Sequence, residues 1–86
     1  METGIIIGKF ARLEACLHML MDDPYGMSHE VSDIIDRNFQ KEWRNLEREL
    51  GIDFDLFMDD LNERGFNAKR IYDQCVSEIM WRYENA

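Results

Sequence analysis

An all-α fold, a small four-helix domain with one long central helix at about residues 28–50, is predicted by three observations. Apolar residues recur at steps of three and four through most of the chain, the spacing of one face of an α-helix. The runs are punctuated by capping residues, with Ser28, Asp53 and Asn67 ahead of them and Gly51 and Gly65 behind. The 86 residues include one proline and five glycines, too few for a turn-rich β sandwich and suited to a few long elements with short loops.

Thr3 is the expected N-cap of a first helix over about residues 4–22, with Ile6, Phe10, Leu13, Leu17, Leu20 and Met21 as its core stripe. Ile5, Ile7, Ala11, Cys16 and Met19 widen that stripe beyond what one small core needs, so a homodimer or higher homo-oligomer is expected. The competing reading of Ile5-Ile6-Ile7-Gly8 is a short strand, because isoleucine is β-branched and glycine weakens helices. Asp22-Asp23-Pro24-Tyr25-Gly26 reads as a turn.

The long helix follows, opened by Ser28 and closed by Gly51. Val31, Ile35, Phe39, Trp43, Leu46 and Leu50 fall within an arc of roughly 120°. Arg37, Lys41, Arg44 and Arg48 form a basic stripe nearly opposite. Asp53 then caps a third helix with Phe54, Phe57, Met58 and Leu61 inward, and Gly65 ends it. Asn67 caps a fourth, whose face is marked by Ile71, Tyr72, Cys75, Ile79 and Tyr83, with Val76, Met80 and Trp81 near its edges.

A chain of this length makes one domain, 1–86, and hides about 60–65% of the surface its unfolded form exposes. The apolar fraction of 45% is that of a packed protein rather than a disordered tail. The formal net charge of −8 disfavours direct nucleic-acid binding and anionic membranes and suits a basic partner. No stretch approaches the ~18 apolar residues of a membrane span, and the N-terminus lacks the basic region of a signal peptide; the expected location is cytosolic. Cys16 and Cys75, 59 residues apart, read as one buried thiol per helix rather than a disulfide.

Four constellations bear on chemistry. Asp55, Asp59, Asp60 and Glu63 line the outer side of the third helix. They do not make a calcium loop, because counting from Asp53 the sixth position is Met58 and the twelfth Arg64, where glycine and glutamate are required. Helically spaced carboxylates can imitate a row of phosphates, and a solvated face is the plainer alternative. The stripe Arg37, Lys41, Arg44 and Arg48 could hold a small anionic nucleotide, or be neutralised locally by pairs such as Asp33–Arg37 and Arg44–Glu47. The hairpin of helices three and four, with Arg64, Lys69 and Arg70, has the length of a DNA-reading helix-turn-helix but lacks the wider basic surface such readers carry. Cys16-x-His18 directs its side chains about 200° apart, poor geometry for one metal ion, and the adjacent Ser28 and His29 sit at a helix start where Ser28 already has a capping role. No metal, cofactor or catalytic residue is expected.

The leading functional expectation is therefore a non-enzymatic binding protein. Its acidic face, Asp55, Asp59, Asp60 and Glu63, would occupy a basic nucleic-acid-binding or nuclease surface of another protein. Immunity proteins and phage-encoded antagonists of host defence share this physical logic at the level of class. An oligomeric binder of an anionic nucleotide and a transcriptional regulator are the alternatives. Trp81 and Tyr83 are further candidates for a partner contact, with packing at the bundle edge as the plainer assignment.

Overall fold

The computed structural model describes residues 2–22 and 26–86. The protein is all-α: among the described residues there are four helices, α1 (Thr3–Met21), α2 (His29–Leu50), α3 (Phe54–Glu63) and α4 (Ala68–Glu84), and no strand. The turn expected at Asp22–Gly26 falls largely on residues 23–25, outside the described residues.

Local chemistry sets most helix ends. Ser28 Oγ accepts from Val31 N at 3.3 Å, Asp53 Oδ1 from Leu56 N at 3.2 Å and Asn67 Oδ1 from Arg70 N at 3.2 Å. Gly51 adopts φ 68°, while Ile52 N donates to Glu47 O at 3.0 Å and Gly51 N to Arg48 O at 3.3 Å. This is the left-handed closure that a β-carbon would oppose. The start of α1 corrects the expected cap. Glu2, extended at φ −69° and ψ 145°, holds the N-cap position with no side-chain bond, and its carbonyl accepts from Ile5 N and Ile6 N. Thr3 is already helical, so its hydroxyl has no capping role. Ile5-Ile6-Ile7-Gly8 is helical rather than extended, because Ile6 and Ile7 are both buried in the core and that packing outweighs β-branching.

One aromatic residue from each helix meets at the centre. Phe10, fully buried, has ring-centroid distances of 4.3 Å to Phe54 and 4.7 Å to Trp43. Phe54 stands edge-on to Trp43 at 5.2 Å and tilted against Tyr72 at 5.4 Å. The Tyr72 hydroxyl donates to the Phe10 carbonyl oxygen at 3.5 Å, and burial, reinforced by the nearby Glu14 carboxylate, raises its pKa and keeps the phenol neutral. Such clustered rings add to plain burial through edge and offset contacts.

The packing centres on α1. It lies against both α4 and α2, and α3 packs on α4. Ala11 and Ala15, one turn apart and fully buried, share one side of α1 with the buried Ile7, and Ala68 at the start of α4 is likewise fully buried. α2 is the longest helix, yet none of its residues is fully buried. Its stripe of Ile35, Phe39, Trp43, Leu46 and Leu50 is only half-buried, and Val31 is exposed. On α4 the inward residues are Ala68, Tyr72, Cys75, Val76, Ile79 and Met80. Three expected members or edge residues of that face lie in solvent. Ile71 and Trp81 lie about 100° and 180° around the helix from Tyr72, and Tyr83 lies one turn beyond Ile79, past the last half-buried residues.

Candidate functional site

α3 presents its carboxylates outward because its apolar residues are claimed by the core. Phe54 and Leu61 are buried and Phe57 and Met58 half-buried, so the opposite side of this ten-residue helix faces water. Asp55, Asp59, Asp60 and Glu63 are all exposed. Asp55, Asp59 and Glu63 step by four and so make one row, with neighbouring β-carbons about 5–6 Å apart. Asp60 sits on the other side of the exposed face, where its Oδ2 lies 3.0 Å from Arg64 Nη2.

Between the row and Asp60 stands Leu56, 65% exposed, the most exposed large aliphatic side chain among the described residues. The periodic reading of α3 passed over it, because it lies about 200° from Phe54 and belongs to no apolar stripe. That offset was itself the available signal: a leucine on the acidic side of an amphipathic helix has no core to fill. Phe66, just past the helix in the chain, is also exposed.

The basic stripe is also solvent-facing, with Arg37, Lys41, Arg44 and Arg48 all exposed. The two neutralising pairs expected for it do not form. Asp33 Oδ2 lies 3.7 Å from His29 Nε2, while Arg37 Nε reaches only the Asp33 carbonyl oxygen, at 3.4 Å. Glu47 Oε2 instead accepts from Phe54 N at 2.8 Å, so it closes the first turn of α3 rather than balancing Arg44. Among the described residues no carboxylate lies within ion-pair distance of Lys41, Arg44 or Arg48. The stripe runs along the outer side of α2, and its four residues are not among those lining the five main surface pockets of the described residues.

At the α3–α4 hairpin, Lys69 and Arg70 are exposed at the start of α4, as a DNA-reading hairpin would need. Two of its three cations already have partners, Arg64 with Asp60 and Lys69 with Asp73 at 3.5 Å. Cys16 and Cys75 are free thiols. Cys16 is exposed, which corrects its expected burial, because it lies on an uncovered flank of α1. Cys75 is half-buried, and that burial raises its pKa and so lowers its thiolate fraction. Among the described residues no three His, Cys, Asp or Glu side chains cluster as a metal site would require, and no helix is long and apolar enough to cross a membrane.

No protein-family model matches the chain, and comparisons with curated proteins and with solved structures find no significant match.

Proposed function

We propose that this protein is a non-enzymatic binding protein whose acidic α3 face occupies a basic, nucleic-acid-binding or nuclease surface of another protein. One observation carries the reading: Leu56, 65% exposed, stands among the four exposed carboxylates Asp55, Asp59, Asp60 and Glu63. A face kept only for solubility needs no apolar centre. A protein interface uses an apolar anchor that is desolvated on contact, with a polar rim that steers and orients the partner. The carboxylate row supplies the steering, and its charge complements Lys and Arg that otherwise meet phosphates.

The test compares wild type with the variant Asp55→Asn/Asp59→Asn/Asp60→Asn/Glu63→Gln, each immobilised and exposed to nuclease-treated native lysate at low and high salt. Wild type retains a basic nucleic-acid-binding protein at low salt and loses it at high salt; the variant, equally helical, retains about tenfold less, as the loss of one well-placed charged contact already predicts. Equal capture by the variant contradicts the reading.

A second reading, an oligomeric binder of a small anionic nucleotide, draws support from the cations of α2 that have no carboxylate partner. It would need a second subunit to enclose the ligand, because the stripe lies on an open, solvent-exposed face. A nucleotide-induced thermal shift abolished by Arg37→Ala/Arg44→Ala would favour it over the acidic-face reading.

A further inference from the structure

The C-terminal half of α1 and the facing part of α2 leave an open groove of about 170 Å³ between them, lined by the apolar Leu13, Leu17, Leu20, Ile35 and Phe39 together with Cys16, Asn38 and Glu42. Leu20 is 54% exposed, and on the same flank of α2 Val31 and Ile34 are 45% and 52% exposed. By helical position Val31, Ile34 and Ile35 share one side of α2 and extend the groove's apolar lining outward. No α3 residue lines it, so it is separate from the acidic face.

We infer that this surface is the interface of a two-fold homodimer in which the α2 helices of two copies run antiparallel. The occupant is read from charge. From His29 to Asp36, α2 carries three carboxylates, Glu30, Asp33 and Asp36, and no Lys or Arg; from Arg37 to Leu50 it carries four cations against three carboxylates. Such a helix repels a parallel copy and attracts an antiparallel one. Complementarity with the helix macrodipole accounts for Glu30 and Arg48, but that field falls off within the terminal turns, and Asp36, Arg37 and Lys41 lie in the middle of the helix, beyond its reach. A two-fold axis near Ile35 and Asp36 brings the two apolar flanks together, as an isologous contact requires. Antiparallel helices pair residues from the same flank. Lys41 and Glu30 share the solvent-side rim of the apolar patch, so Lys41 faces the partner's Glu30, twice per dimer. The net charge of −8 sets this surface apart from one made for an anionic membrane.

Sedimentation equilibrium across the micromolar range tests the assignment. Wild type is expected at twice the 10.3 kDa chain mass. Ile34→Lys, which keeps a good helix former on an exposed site but puts a charge on the two-fold seam, is expected to be monomeric with unchanged helix content. Val31→Lys, one turn earlier, is expected to do the same. Lys41→Glu replaces two attractive rim pairs by repulsive ones and weakens association by about tenfold, and Glu30→Lys/Lys41→Glu restores it to within about twofold. Cys16 lines the same groove, so its reaction with a thiol reagent slows as wild-type concentration rises and stays fast in Ile34→Lys. A monomeric wild type overturns the proposal, and uptake of an apolar dye by that monomer would assign the groove to a small ligand instead. A dimer untouched by both lysine variants overturns this surface. Failure of the double charge swap to restore association overturns the antiparallel arrangement.

Discussion

Glu47 illustrates how the path of the chain, rather than helical spacing alone, chooses a side chain's partner. Three residues past Arg44 on one helix, it is placed for a local ion pair. The Gly51 turn, however, brings the first free N–H groups of α3 beneath it, and its carboxylate accepts from Phe54 N at 2.8 Å. A carboxylate on unsatisfied helix N–H groups gains a charge-assisted bond and a favourable dipole, whereas an exposed ion pair gains little. Glu47→Ala is therefore expected to destabilise the fold by about 1–2 kcal/mol, and Arg44→Ala by no more than about 0.5 kcal/mol, in urea unfolding. Equal costs would mean that Glu47 acts through Arg44 after all.

Among the elements, the helix ends were legible because capping is local chemistry. Ser28, Asp53, Asn67, Gly51 and Gly65 act where the sequence places them, and only the first helix, capped at Glu2 instead of Thr3, starts differently. How deeply each stripe is buried was not legible, because periodicity reports which residues share a face and not what covers it. The stripe of α2 has the clearest pattern in the chain and is nowhere fully buried, while the broad apolar surface of α1 is taken up by α4 on one side and left as a groove on the other. Leu56 escaped the periodic reading for the complementary reason, since it belongs to the face that packs against nothing. The two kinds of glycine also separate by element. Gly51→Ala, at φ 68°, is expected to cost about 1–2 kcal/mol. Gly8→Ala, within α1 and with open space around its new β-carbon, is expected to gain about 0.5–1 kcal/mol. Thermal or urea unfolding of the two variants reads the opposite signs.

The whole molecule divides its surface by charge. α3 turns three carboxylates in a row, and a fourth beyond Leu56, to solvent; the outer side of α2 turns four cations; the groove between α1 and α2 is apolar. On the proposed reading, separating these surfaces would let one small fold associate with itself along α2 and with a basic partner through α3. The central claim is that the acidic face stands in for nucleic acid, and competition tests it most directly. The basic protein retained by immobilised wild type is challenged with a short duplex that it binds. Mutually exclusive occupancy is expected: the duplex displaces the partner in proportion to its concentration, and replacing Leu56 with alanine lowers the duplex concentration needed. A stable ternary complex, with duplex and protein bound to the partner together, would contradict the account.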